Sequence, residues 1–361
     1  MLIGIDCHPL EKTRTGAARY LINLLKYWKD DQRVNFILYS MKDVKNPLNI
    51  KSTALYYNFS LPRRAKKDKV DILFLPFYMR PFFCGVPTAV AIHDISYIAH
   101  PEWFDLYHRM AYNILSKRAI RKSKIIFASS EYTGKEILKY CKINPEKIHV
   151  VLLAVDEKFN PNKNLAKIQE IKQKYNLKNK YLFYAGSIFN RRHVLETLKA
   201  FELILEKYLN YQLFITGRNL THPFQDIDKE IKKTNQKFPE AIKRVAYVDE
   251  EDLVCLYQAA ELFIYLSEYE GFGLPPLEAM ACGTPVLTTK KTSLAEVLGD
   301  YPLWIENPND VEEIKEKMIK ILSNERLRNE MIEKGLAQAQ KFSWQKTAEE
   351  TLKIIINLCP K

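Results

Sequence analysis

The chain has 361 residues, 47% of them apolar and 27% charged, an ordinary globular balance in a chain too long for one core, so two domains are expected. No apolar run approaches about 18 residues, so no transmembrane helix is expected, and the six scattered cysteines form no C-x-x-C pair, which argues against zinc and a disulfide framework and fits a reducing cytosol. The formal charge of +12 is lopsided: residues 1–165 hold 27 Lys and Arg against 15 Asp and Glu, and the remainder is balanced.

In chain order, Leu2 to Asp6 reads as a first strand, without the basic stretch that opens a signal peptide. It leads through Thr13-Arg14-Thr15-Gly16 into a helix with Tyr20, Leu21, Leu24, Leu25 and Trp28 on one face. Gly16 sits where a strand-to-helix turn can bring a phosphate to a helix N-terminus, although a lone glycine is by itself a turn residue. Val34 to Tyr39 is a second strand. Residues 41–70 are polar and basic, ending in Arg63-Arg64-Ala65-Lys66-Lys67-Asp68-Lys69. Asp71 to Leu75 and Thr88 to Ile92 are further strands. His93-Asp94-Ile95-Ser96-Tyr97 follows the latter at its carboxyl end, the edge that lines the ligand crevice in open α/β sheets. Phe104 to Lys122 reads as a long helix, Ile125 to Ser129 as a strand, and Ser129 or Ser130 as the cap of a helix starting near Glu131. Ile148 to Leu152 closes the first sheet, and Asp156 to Lys167 reads as the interdomain linker.

Strand–helix alternation resumes at Tyr181 to Gly186. Arg191 and Arg192 follow, two forked cations suited to a diphosphate at a sheet's carboxyl edge. Tyr211 to Thr216 and Val245 to Val248 are the next strands. Asp226-Ile227-Asp228 looks like an Asp-x-Asp metal motif, but no strand precedes it and it reads as surface charge. Leu262 to Leu266 is a buried strand. After it comes Glu268-Tyr269-Glu270-Gly271-Phe272-Gly273-Leu274-Pro275-Pro276-Leu277-Glu278, then Gly283-Thr284-Pro285 and the strand Val286 to Thr289. The glycines permit a tight turn and close approach to a ligand, the prolines suit a first helical turn, and Gly283 closes the helix. Glu270 and Glu278 bracket this loop, placed to accept bonds from hydroxyls beside free helix-start amides. Ser343-Trp344 opens a last helix running to Leu358.

The Glu270 to Pro285 string resembles the signature of retaining GT-B glycosyltransferases of family 4, and the likeness extends to His93-Asp94, the turn at Gly16 and the basic pair Arg191-Arg192. The resemblance implies two doubly wound parallel-sheet domains of the α/β class facing a cleft: 1–165 on the acceptor side, 166–342 for the nucleotide-sugar, and 343–361 as a helix crossing back to the first. It implies that Glu278 holds the donor ribose, that Glu270 with Gly271, Phe272, Gly273 and Leu274 holds the donor sugar, and that His93 contacts that sugar. Arg191, Arg192 and Gly16 serve the donor diphosphate, and Tyr247 and Val248 lie near the nucleobase. This chain keeps one glycine of the family's Gly-rich turn, and Arg192 stands where Lys is common.

The implied activity is transfer of a hexose, with retained configuration, from a GDP- or UDP-linked donor to a glycan or lipid-linked acceptor in surface polysaccharide assembly. Glu270-Gly-Phe-Gly-Leu-Pro-Pro and His93-Asp-Ile-Ser are closest to mannosyltransferases, so GDP-mannose is the expected donor. No metal or other cofactor is expected. A nucleotide-sugar epimerase, a phosphorylase or an inactive nucleotide-binding protein of the same architecture are the alternatives. A nucleic-acid partner is not expected, since no nucleic-acid fold signature is present. The basic first half instead points to peripheral contact of a cytoplasmic protein with an anionic membrane, with Tyr56, Tyr57, Phe59 and Leu61 at the headgroups, against a plain solvated surface as the alternative.

Overall fold

The computed structural model describes residues 1–11, 16–41 and 53–359. It comprises two compact units, Met1–Ala154 with Ser343–Lys361, and Val155–Phe342. Each is built on one parallel sheet of six strands. In the first, β1 (Leu2–Asp6), β2 (Asn35–Tyr39), β3 (Ile72–Leu75), β4 (Thr88–Ile92), β5 (Ile125–Ala128) and β6 (Ile148–Val150) stand in the order β2-β1-β3-β4-β5-β6. In the second, β7 (Lys180–Ala185), β8 (Tyr211–Thr216), β9 (Ile242–Val245), β10 (Leu262–Tyr265), β11 (Val286–Thr289) and β12 (Leu303–Ile305) stand in the order β12-β11-β10-β7-β8-β9. The central strands β3, β4, β5, β8, β10 and β11 are buried along their whole length, as parallel strands covered on both faces require.

The strand order locates the ligand edge. The winding reverses between β1 and β3 in the first unit and between β7 and β10 in the second. In doubly wound sheets the crevice opens beyond the carboxyl ends of the strands at that reversal. In the second unit the loops leaving β7 and β10 carry Arg191-Arg192 and Glu268 to Gly273.

The boundary expected at 165 falls at Ala154 instead. The supposed linker is tied to the second unit: the Gln258 amide donates to the carbonyls of Asn160 and Asn162 at 2.7 and 3.2 Å, and buried Phe159 meets the Tyr257 ring edge-on. The last helix, Trp344–Leu358, belongs to the first unit, where the Trp28 indole donates to the Ala348 carbonyl at 2.9 Å.

Three local readings shift. Asp105 caps the long helix by accepting from His108 N, so it begins at Leu106 and runs to Lys122. β9 ends at Val245, which leaves Tyr247 and Val248 in the loop beyond it; charged Lys243 and Arg244 break the apolar pattern that marks a strand. The basic stretch contains helix over Thr53–Leu55, Tyr56–Ser60 and Leu61–Lys67, while 42–52 lie outside the described residues. Of the four residues expected at headgroups, Tyr56, Tyr57 and Leu61 are buried there and Phe59 is exposed. The cause is Asp6 at the end of β1: its buried carboxylate accepts from the hydroxyls of Tyr56, at 3.1 Å, and Tyr57.

Candidate functional site

The loops beyond β7 and β10 are bonded to each other. The Glu268 N–H donates to the Arg191 carbonyl at 2.9 Å. Arg192 then reaches Glu270: Nε and Nη2 approach one carboxylate oxygen, Oε1, at 2.9 and 2.8 Å. Two hydroxyls converge on the same oxygen, Tyr265 and Ser267, each at 2.8 Å. The third arm of Arg192 donates to the Ser187 carbonyl at 2.8 Å. Its guanidinium lies over the Tyr265 ring, and that of Arg191 over Phe189 at 4.3 Å. Burial alone raises the pKa of Glu270, but Arg192 and Arg191 outweigh it and hold the carboxyl below its ordinary range. Glu270 is therefore a fixed carboxylate, largely closed off from solvent, with these bonds concentrated on one oxygen, Oε1.

A row of hydroxyls fixes the Glu270 loop. Thr288 donates to the Tyr265 carbonyl at 2.6 Å, and Thr289 to that of Ser267. Ser293 donates to the Glu270 carbonyl at 2.7 Å, while the Glu270 N–H donates to the Thr292 hydroxyl at 3.1 Å. Thr292 holds that position at φ 55°, a costly conformation for a β-branched residue and one that persists only where its surroundings impose it. At the loop's end, Gly273 has φ 98°, and a Cβ there would sit 2.5 Å from Leu294, so no other residue fits. The helix Leu274–Ala281 follows. Because Pro275 and Pro276 lack N–H groups, the amides left at its start are those of Gly273 and Leu274. Glu278, buried on this helix, accepts from the Tyr257 hydroxyl at 3.2 Å.

Glu270, Arg191, Arg192, Gly271, Phe272, Gly273, Leu274 and Glu278 thus share the reversal edge of the second sheet. Tyr247, exposed, and Val248, buried, follow β9 at the same carboxyl edge. Gly16 and His93 belong to the first unit. Gly16 opens the helix Gly16–Trp28, and a Cβ there would meet nothing within 4 Å, so sterics do not demand glycine; the turn at 12–15 lies outside the described residues. His93 follows β4, packs edge-on against Tyr20 at 4.8 Å, and places Nε2 3.2 Å from the Pro76 carbonyl. Burial lowers its pKa and keeps the ring neutral. A carbonyl only accepts, so Nε2 carries the proton and Nδ1 is left as an acceptor.

Asp226 and Asp228 are used structurally. Asp226 caps Ile227–Lys237 by accepting from Lys229 N, and Asp228 takes a two-pronged contact from Arg244 at 2.7 and 2.8 Å. Among the described residues no cluster of three or more His, Cys, Asp or Glu is grouped as for a metal ion.

Sequence reasoning missed Tyr265, Ser267 and Thr292, because a tyrosine inside an apolar run reads as core. It also assigned no role to His193. That residue is buried at φ 46°, with Nδ1 3.5 Å from Glu196 and Nε2 3.2 Å from Glu268. Burial opposes its charged form, but the two carboxylates prevail and raise its pKa. Glu268 is pulled down to about 2 by His193, against its partial burial and with help from Lys291.

Comparison with known proteins bears on the family and the fold. The family model described as Glycosyl transferases group 1 matches residues 167–338, and that of Glycosyltransferase Family 4 matches 14–159. The chain is 34% identical over 271 residues to an O-antigen chain mannosyltransferase B of Escherichia coli, covering 73% of this chain and 69% of that one. A serotype-specific mannosyltransferase WbdA of Escherichia coli is 30% identical over 72% of this chain, which spans only 32% of that longer protein. The crystal structure of WaaG, a glycosyltransferase involved in lipopolysaccharide biosynthesis, superposes with a TM-score of 0.73 at 19% identity, covering 99% of this chain and 100% of that one. Anabaena HepE in complex with UDP-glucose gives 0.75 at 16% identity, covering 98% and 99%. Both solved structures share the fold, the two-sheet GT-B architecture.

Two outcomes follow from the ion pairs. Arg192→Ala strands the buried Glu270 carboxylate and lowers unfolding free energy by about 3–5 kcal/mol in urea titrations; a loss below about 1 kcal/mol, as for an exposed pair, contradicts a buried, mutually dependent pair. His193 contributes stability below its ordinary pKa of 6.5 and loses it as pH rises through the raised folded value, whereas Glu268 contributes above 4.5 and loses it as pH falls towards 2. His193→Asn, which tolerates the left-handed backbone, therefore costs about 1 kcal/mol at about pH 5.5 and less at about pH 9. A loss independent of pH contradicts the charged pairing.

Proposed function

The chain belongs to the family 4 glycosyltransferases, and from that premise we propose that it transfers mannose from GDP-mannose to a hydroxyl of a glycan or lipid-linked acceptor of surface polysaccharide, with the anomeric configuration retained and without a metal ion. The observation that carries this reading is the constellation of buried Arg191 and Glu278 with the largely enclosed Arg192–Glu270 pair at the reversal edge of the second sheet.

The chemistry needs charge stabilised on a departing diphosphate, and Arg191 and Arg192 are placed to supply it as fixed cations in a desolvated site. Glu270 presents an ionised oxygen to sugar hydroxyls, and Glu278 serves the ribose hydroxyls. The neutral His93 has an acceptor, Nδ1, for a further sugar hydroxyl, and the Gly16 amide adds a donor for the phosphates; both roles rest on the family resemblance. Glu270 is pinned by Arg192, Tyr265 and Ser267, which suits a positioning group better than a mobile nucleophile. Retention then follows from attack on the face the diphosphate leaves, with the leaving phosphate taking the acceptor's proton. The mannose and O-antigen parts of the reading are carried by the 34% identical relative.

The test is product analysis with GDP-mannose and a synthetic acceptor, the new linkage being assigned by NMR. An α-mannoside from the α-linked donor, formed equally in EDTA, is expected. A β-mannoside overturns retention, and activity lost in EDTA and restored by Mn²⁺ overturns the metal-free scheme. Conversion of donor without acceptor into an epimeric nucleotide-sugar replaces the transferase reading. In calorimetry, Glu278→Ala weakens GDP binding by about 1–3 kcal/mol, since ribose hydroxyls lose their acceptor. Unchanged affinity in the folded variant removes Glu278 from the donor site.

A further inference from the structure

His193 stands where the three loops that build the Glu270 site meet. Its backbone closes the turn Asn190–Arg192, and its carbonyl accepts the Thr197 N–H at 3.0 Å and the Thr197 hydroxyl at 2.9 Å, so the ring is fixed one residue beyond Arg192. Glu268 lies two residues before Glu270 and turns each carboxylate oxygen to a different loop. Its Oε2 is 3.2 Å from His193 Nε2, and its Oε1 accepts from Lys291 Nζ at 3.0 Å. Lys291 immediately precedes Thr292 and Ser293, whose hydroxyls hold the Glu270 backbone. One carboxylate thus spans the loops beyond β7, β10 and β11.

Neither the backbone nor the helix accounts for a histidine at this position. His193 precedes the helix Val194–Ile204 but gives it no side-chain cap bond, and a cation at a helix start is disfavoured. A left-handed residue before a helix suits Asn or Gly better. The surroundings of the ring do ask for it. The residue is 6% exposed, with Nδ1 3.5 Å from Glu196 and Nε2 3.2 Å from Glu268. A neutral imidazole has one N–H and one lone pair, so one of the two carboxylates would face the lone pair. Only the imidazolium presents a proton to both. The other charges nearby are Lys291 behind Glu268 and Lys199 beside Glu196, and both carboxylates lie below their ordinary range. They stay ionised while His193, whose own pKa is raised, changes charge.

We propose that the His193 imidazolium is a positioning residue of the donor site, tying the Arg191-Arg192 turn to the Glu270 loop through Glu268, so that donor affinity depends on the proton it carries. This role rests on the reading of the edge as a GDP-mannose site. His193 itself makes no contact with the donor in it. Loss of the proton lowers the fraction of the protein that holds both loops in the binding arrangement, and the apparent affinity falls by that fraction. The tie is complete below the ordinary histidine pKa and is lost as pH rises through the raised one. His93, kept neutral by burial, does not change charge as pH rises.

Calorimetry of GDP-mannose binding to the full chain without acceptor, from about pH 6 to about pH 8.5, tests the proposal. The wild type is expected to lose about fivefold in affinity across that range, the weight of one ion contact, with KM for the donor following and kcat changing less. His193→Asn binds at the weaker level throughout. His193→Lys keeps the cation, on a backbone that Lys69 and Lys142 already adopt at φ 55° and 47°, and binds at the stronger level throughout. In the free wild type, protection of the Glu268 and Glu270 amides against hydrogen exchange, scaled to the intrinsic rate, falls with the same midpoint. A wild-type affinity independent of pH overturns the proposal, as does a His193→Lys variant as weak as His193→Asn. So does a pH dependence that both variants keep, which assigns it to another group. Absence of GDP-mannose binding at every pH, with amide protection still following His193, removes the donor reading and leaves the loop tie standing. Binding that ignores pH and both substitutions does the reverse.

Discussion

The structure of the second unit depends on one interaction, the buried pairing of Arg192 with Glu270. Two charges removed from water are costly unless geometry and further hydrogen bonds compensate. Here the compensation comes from several elements at once: Tyr265 from β10, Ser267 from the loop beyond it, and the Ser187 carbonyl from the loop after β7. The Thr288, Thr289, Thr292 and Ser293 hydroxyls then hold the backbone of the same loop. Loosening either charge would unsettle both loops, because each is the other's principal counter-charge. A polar site of this kind specifies one arrangement of its loops only when nearly every group is satisfied.

That pairing also bears on what a donor must do. A guanidinium committed to a carboxylate is not free to grip a phosphate with the same N–H groups. Arg192 spends Nε and Nη2 on Glu270 and Nη1 on Ser187. Arg192 therefore fixes Glu270, and any charge it lends to a departing diphosphate acts as a nearby fixed cation rather than through those hydrogen bonds. The common lysine at the second position would supply a point charge but not the fork that meets the carboxylate with two N–H groups.

How much was legible follows from where the physics is local. The alternation of apolar strands and amphipathic helices placed all of β4, β8 and β11 to the residue, and the glycine–proline punctuation around Glu270 placed the loop and the Leu274–Ala281 helix. The bounds of β9 slipped because its charged Lys243 and Arg244 conceal the strand. The stretch 53–67 was unreadable as helix because its tyrosines are buried by a long-range partner, Asp6, that no window of neighbouring residues contains. For the same reason Tyr265 read only as part of a buried strand and His193 and Thr292 were given no role: their roles exist only once β7, β10 and β11 lie side by side.

The uneven charge takes on a meaning once it is mapped onto elements. The excess cations of the first half are concentrated on two acid-free helices, Leu61–Lys67 and Leu106–Lys122, rather than spread among counter-ions. Several cations elsewhere are compensated at close range, as in Arg33 with Asp31 and Glu349 or Arg244 with Asp228. Folding gains nothing from leaving like charges side by side beside exposed Leu106, Met110 and Ile114; self-repulsion and unburied apolar area both work against it. These exposed side chains therefore add little to the stability of the fold itself.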